Sequence, residues 1–345
     1  MCVIEPTKSV ILVEKMMDQK ITEPLTLGVD LGGTKINVAL VDACGRLLFV
    51  HKSLVHPDKE PNRVIGDILS GVDVCLSTTG QEGEALGIGV AAQVDLKGVV
   101  RGSPNLGWRN VPLKKKLEEQ LGLPVVVTND VRAATWGEWR YGSGRGIDDL
   151  VVLFVGTGVG GGVVSGGNIL SGCSNSGGEL GHITIVFDGR KCRCPNRGCL
   201  EAYAGGWAIA ERAQDAVGIA PEDGQHLLSL AGSVEKVTAA TVSRAYMEGD
   251  MLARRLVEET GRYLAAGVVS IVNAFNPCLL VLGGGVIEGI PELIQIVKDN
   301  ARNRALEAAV EELEIVNAAL GCEAGVIGAA DLAQKLVEKA PRAGL

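Results

Sequence analysis

Two stretches of this chain follow one plan. From Leu25 an apolar strand (LTLGVD) leads through a glycine turn (LGGTK) into a second strand (INVALVD), a tight turn (ACG) and a third strand (RLLFVHK). Residues 150–170, LVVLFVGTGVGGGVVSGGNIL, again run strand, glycine-rich turn, strand, turn, strand. Apolar runs bounded by glycine are strand signals, and a chain of 345 residues exceeds one ordinary core. The repeat is therefore read as an internal duplication, one copy per domain.

Around these copies, helical and strand patterns alternate. A helix is expected over 62–79, a buried strand at ALGIGVA, a helix over 111–122 starting near Pro112, and a strand at PVVVTN. DVRAATWGEWRYG then reads as a helix whose first residues include Asp130. Apolar spacing over 250–275 puts Leu252, Leu256, Tyr263, Leu264, Val268, Ile271, Val272 and Phe275 on one helical face, and Asn276-Pro277 ends that helix. LLVLGGGV is strand into turn, EIVNAAL a strand, and a last helix starts near residue 324. Strands alternating with helices imply an α/β architecture. Residues 1–24 are read as a poorly ordered extension. Residues 25–133 with about 325–345 form the smaller domain, and 134–324 the larger.

Composition removes several function classes. Net charge is −8 and no basic stripe exists, since KKK at 114–116 is one solvated helix face; no nucleic-acid partner is expected. No apolar run reaches the roughly 20 residues that span a bilayer. SVILVEKMM is interrupted by Glu14 and Lys15 and lacks a small-residue cleavage site. A cytoplasmic protein without membrane contact is expected.

The glycine turns suit phosphate. Glycine lets successive backbone N–H groups point at an anion with no side chain in the way. In Asp30-Leu31-Gly32-Gly33-Thr34-Lys35, Thr34 adds a hydroxyl and Lys35 a charge, and Asp30 at the strand end is placed to hold Mg²⁺ through water. Gly156-Thr157-Gly158 and Gly283-Gly284-Gly285 are the second and third such turns. None fits the dinucleotide fingerprint or the Walker lysine motif; together they point to a nucleotide held between two domains.

His182, Cys192, Cys194 and Cys199 follow H-x9-C-x-C-x4-C. Three free cysteines on a loop is the plainer reading, but four borderline-soft ligands so close together suit tetrahedral Zn²⁺. With all four positions filled by protein, the site is structural, and it pins a loop bearing Glu179 and Glu201.

DLGGTK, the Asn129-Asp130 pair, GGELGH, CRCPNRGCLE and LGGGV resemble, in order and spacing, the ROK family of repressors, open reading frames and sugar kinases, from about Leu25 to about Gly328. That resemblance implies the actin-like, hexokinase-like ATPase fold: two related α/β domains with the ligand cleft between them, and a homodimer by family habit. It implies ATP-dependent phosphorylation of a hexose at its primary hydroxyl, with Mg²⁺ accompanying ATP and glucose as the leading acceptor. Asp130 resembles the general base and Asn129 its sugar-binding neighbour. Asn105, Glu179, His182 and Glu201 resemble the residues that bind sugar hydroxyls, His182 using one ring nitrogen for zinc and the other for sugar. Gly284 and Gly285 would lie against the adenosine. Two positions depart from the family pattern. Ala92-Gln93 stands where its glucokinases commonly read Pro-Gly, which keeps an N-acetylhexosamine or mannose kinase open, and Pro195 stands where glycine often follows the second cysteine. Polyphosphate is an alternative donor. A sugar-responsive repressor needs a helix-turn-helix module of roughly 60 residues, and only 24 residues precede Leu25.

Overall fold

The computed structural model describes residues 24–339. The expected N-terminal extension lies outside the described residues except for Pro24. The chain divides into two compact units. One holds the chain up to Gly146, residues 171–177 and the chain from Ala319; the other holds Ile147–Leu170 and Gly178–Ala318. This division differs from the expected one at 133/134, which would cut the helix Asp130–Tyr141. That helix packs along the C-terminal helix Ala324–Lys339, and so both stay in the first unit.

The first unit contains β1 (Thr26–Leu31), β2 (Lys35–Val41), β3 (Leu47–Leu54), β4 (Leu86–Val90), β5 (Gln93–Val94), β6 (Val100–Ser103), β7 (Trp108–Val111) and β8 (Val125–Asn129). Its main sheet has the order β3-β2-β1-β4-β8, with β2 antiparallel to both neighbours and β1, β4 and β8 mutually parallel. Both faces are covered, as the period-two alternation shows. Ile36, Val38 and Leu40 of β2 share a core with Val64, Ile65, Ile68 and Val72 of the helix Pro61–Thr79. The alternate residues Ala39 and Val41 pack on Val326, Ile327 and Ala330 of the C-terminal helix. Gly28 and Gly87 pair across β1 and β4. A Cβ on either would collide with a carbonyl group of the C-terminal helix, so only glycine permits that approach.

The second unit contains β9 (Leu150–Val155), β10 (Val159–Ser165), β11 (Asn168–Ile169), β12 (Leu279–Gly283) and β13 (Glu314–Asn317). Its order is β11-β10-β9-β12-β13, again third, second, first, fourth, fifth, with the same parallel and antiparallel pairings. The duplication is thus one sheet built twice. The helix Met251–Phe275 is capped by Asp250, whose side chain accepts from the Ala253 N–H (2.7 Å), and ends at Asn276 in the left-handed conformation. Most of its expected apolar face is buried, but Tyr263 is half-buried and Phe275 is exposed, because the last turn runs past the core. Between β11 and β12 the chain also forms helices Gly206–Ile219, Gln225–Ala231 and Ala239–Met247, which complete the core of this unit.

Candidate active site

In the first unit, strand ends deliver two carboxylates to one place. β1 ends beside the glycine turn and carries Asp30; β8 ends at Asn129, and Asp130 opens the following helix. Asn129 is the N-cap, its side-chain oxygen accepting from the Arg132 N–H (3.0 Å). Its amide nitrogen donates to Asp130 Oδ1 (2.9 Å) and to the Ala92 carbonyl (3.3 Å). One asparagine therefore caps the helix and orients the carboxylate at its positive end. Burial first, and then the nearby charge of Asp130, raise the Asp30 carboxyl to about 6, with the Asn37 amide (3.4 Å) opposing the shift. Two neighbouring oxygen-donor carboxylates suit a hard divalent cation such as Mg²⁺.

The Gly32–Lys35 turn is closed by the Gly32 N–H on the Lys35 carbonyl (3.0 Å), with Thr34 and Lys35 exposed. Asn105 packs against it: a Cβ built on Gly33 would lie 2.9 Å from the Asn105 Cβ. Gln93 is exposed on β5 and lines a groove with Asp95, Lys97, Ser174 and Ser176.

In the second unit, Gly156-Thr157-Gly158 joins β9 to β10 in the place that the Gly32–Lys35 turn takes in the first sheet. The carbonyls of Gly156 and Thr157 accept from the N–H groups of Gly206 (2.9 Å) and Trp207 (3.0 Å). Glu201 Oε2 accepts from the Val159 N–H (2.9 Å), and a Cβ on Gly158 would collide with that carboxylate. Gly283-Gly284-Gly285 follows β12; Gly284 has φ 93° and lies so close to β9 that a Cβ would meet the Val155 carbonyl oxygen at 2.6 Å. Glu179 is exposed at the start of the 3₁₀ turn Leu180–His182.

The ligand atoms of His182, Cys192, Cys194 and Cys199 all lie within 4.8 Å of one another. Cys194 Sγ is 3.6 Å from Cys199 Sγ, and Cys192 Sγ is 3.7 Å from His182 Nδ1. A tetrahedral ion about 2.3 Å from each thiolate would set the sulfurs roughly 3.8 Å apart, so the cluster has the dimensions for zinc. Burial pushes the Cys192 thiol up to about 12 and raises Cys199 as well; a divalent cation is what would hold such buried sulfurs as thiolates. The Asn196 amide donates to Cys199 Sγ (3.4 Å), and Gly198, with φ 77°, turns the loop back.

Asn129, Asp130, Asp30, the Gly32–Lys35 turn and Asn105 thus lie in one unit. Glu201, the Gly156–Gly158 turn and the metal cluster lie in the other. Sequence reasoning missed Arg132 and Asn175. The Arg132 guanidinium bonds the Asn175 side chain and the Gly177 carbonyl (3.0 Å), while the Asn175 amide donates to the Val94 carbonyl (3.0 Å). This ties residues 171–177 to β5 and to the helix of Asp130. The available signal was an asparagine in a glycine- and serine-rich run, here at φ 62°.

The ROK family model matches residues 26–336. The chain is 35% identical over 314 residues to a glucokinase of Streptomyces coelicolor, covering 90% of this chain and 98% of that one. It superposes with a TM-score of 0.79 on a ROK family glucokinase from Streptomyces griseus solved with glucose and AMPPNP, at 38% identity, covering 90% of this chain and 99% of that chain. A xylose repressor of Bacillus subtilis is more distant, at 27% identity over 88% of this chain and 75% of the repressor. The fold is accordingly the hexokinase-like ATPase fold of these structures.

Proposed function

The chain belongs to the ROK family, and on that premise we propose that it is a sugar kinase transferring the γ-phosphoryl group of ATP to the primary hydroxyl of glucose, with Asp130 as general base. The observation that carries this reading is the Asn129–Asp130 pair, in which one amide fixes a carboxylate at a helix N-terminus beside the Asp30 strand end. Phosphoryl transfer asks a protein for positioning and charge stabilisation more than for covalent chemistry. The hydroxyl would donate its hydrogen bond to Asp130, which accepts the proton as the oxygen attacks phosphorus in line. Backbone N–H groups of Gly33, Thr34, Thr157 and Gly158 hold phosphate oxygens in this reading, with the Lys35 charge beside them, while the Gly32 N–H is engaged in closing the turn on the Lys35 carbonyl; Gly283–Gly285 faces the adenosine. Asp30 would hold Mg²⁺ through water, and that ion neutralises phosphate charge when bound.

Hexose hydroxyls are assigned to Asn105, Asn129, Glu179, His182 and Glu201. His182 turns Nδ1 to the cysteines, which leaves Nε2 for sugar. Zinc at the four-ligand cluster is structural in this reading. A cytoplasmic homodimer completes it; among the described residues no helix is long and apolar enough to cross a membrane. The kinase reading is preferred to a repressor because the base and the glycine turns are all in place.

The test is formation of the sugar phosphate, with ATP and polyphosphate as donors and glucose, mannose and N-acetylhexosamines as acceptors, ADP release being followed as well in the ATP reactions. Fastest turnover with ATP and glucose is expected. No turnover with any hexose would overturn the reading.

A further inference from the structure

One residue fastens the turn that carries Asn105 at two points. The Lys59 ammonium donates to the Asn105 carbonyl oxygen at 2.7 Å, and the Lys59 carbonyl accepts from the Trp108 indole N–H, also at 2.7 Å. Trp108 is a buried anchor at the start of β7, only 3% exposed. Between these two points the chain turns through the buried Leu106 and through Gly107 at φ 72°, with Asn105 and Gly107 open to solvent. Ser103 accepts from the N–H groups of Leu106 (3.3 Å) and Gly107 (2.8 Å), while the Asn105 carbonyl itself is held by Lys59.

The segment that holds Lys59 is itself braced. Lys59 has φ 56°, a left-handed conformation that costs a lysine energy unless its surroundings impose it. The surroundings do so. The Lys59 N–H donates to the His56 carbonyl (2.9 Å). Asp58 accepts from the Glu60 N–H (3.0 Å) and the Arg63 guanidinium (2.6 Å), and bonds His56 Nδ1 (2.8 Å). On its far side Asn105 abuts Gly33 of the phosphate turn. Contacts therefore run from this braced loop through Lys59 to Asn105 and on to the glycine turn.

We propose that Lys59 is a positioning residue for hexose recognition: its ammonium, held by the strained 56–60 loop, fixes the backbone of Asn105 so that the asparagine side chain is presented to the sugar. The inference rests on the reading of Asn105 as a hexose contact. Lysine suits the task because its stem reaches a carbonyl 46 positions away in sequence and its charge strengthens the bond.

The experiment is a double-mutant cycle of Lys59→Met, which keeps the stem and removes the donor, with Asn105→Ala, read as separate KM and kcat values. Lys59→Met should raise the KM for glucose about five- to tenfold, as expected for one partly solvated charge-assisted hydrogen bond. The kcat and the KM for ATP should stay near their original values. Lys59→Arg, which keeps a donor, should restore most of the loss. In the Asn105→Ala background, Lys59→Met should add nothing. General damage to the fold would act equally in both backgrounds, so additive effects would overturn the inference. So would an unchanged glucose KM in Lys59→Met while Asn105→Ala raises it. An unchanged glucose KM in Asn105→Ala would instead overturn the sugar-contact reading, and the inference with it.

Discussion

Glu201, two positions after the last cysteine of the metal cluster, accepts the Val159 N–H at 2.9 Å and so braces the glycine turn Gly156–Gly158 from beneath. The carboxylate assigned to sugar is thereby also part of the support of a phosphate turn. Glu201→Ala removes both roles, and the KM for glucose and the KM for ATP should each rise, on the order of tenfold. Glu201→Gln keeps an oxygen that can accept the Val159 N–H, so the KM for ATP should change much less than the KM for glucose. Steady-state kinetics with each substrate varied in turn would check this. An unchanged ATP KM in Glu201→Ala would show that the turn does not depend on the brace.

The sulfur spacing at the cluster predicts about one zinc per chain in the purified protein. Cys194→Ser should lose that zinc, and glucose binding should weaken because the loop bearing Glu179 and Glu201 is freed. Elemental analysis together with the glucose KM measures both. Protein that stays fully active after a chelator wash and contains no zinc would refute the structural role.

Asp30 gives a stability signature. Its carboxyl lies near 6 when folded, raised first by burial and then by Asp130, against an ordinary value of 3.8. Between about pH 4 and pH 6 the folded chain binds more protons at this group than the unfolded chain. Its contribution to stability therefore falls as pH rises through that window and is level above it. Urea unfolding of the protein free of nucleotide and Mg²⁺ should show this slope, and Asp30→Asn should flatten it. An identical slope in the variant would mean that Asp30 is not the buried titrating group.

Gln93 tests the choice of sugar. It is exposed on β5, directly after Ala92, whose carbonyl receives the Asn129 amide. Its amide can donate or accept, and a site that hydrogen-bonds a substituent rejects the analogue lacking it. Gln93→Gly should shift relative kcat/KM among glucose, mannose and N-acetylhexosamines and leave the KM for ATP unchanged. Equal ratios before and after would move the source of specificity elsewhere.

Much of this molecule is legible in its sequence because its signals are local. The two strand–glycine–strand units announce themselves by periodicity, and the four metal ligands sit within 18 positions of one another in the chain. The assignment of Asp130, Asn105 and Gln93 came instead through family resemblance. What escaped depends on distance in sequence. Lys59 meets Asn105, Arg132 meets Asn175, and Glu138 accepts the N–H groups of Ala319 (3.1 Å) and Leu320 (2.7 Å); no spacing rule pairs such residues. The sheet β5–β7 was missed because strands of two to four residues are too short to show alternation. The compact unit runs to Gly146 rather than to the expected 133/134, because the helix Asp130–Tyr141 packs on the C-terminal helix, a contact that composition does not reveal.

The central claim is that Asp130 takes the proton from the sugar hydroxyl during transfer from ATP. Asp130→Asn preserves the shape of the side chain and removes its basicity. Turnover of glucose with saturating ATP, compared between the original protein and this variant, tests the claim most directly, with glucose affinity measured in parallel. A fall of roughly 10²–10⁴-fold in kcat with little change in glucose affinity is the predicted result. Near-normal turnover in Asp130→Asn would contradict it.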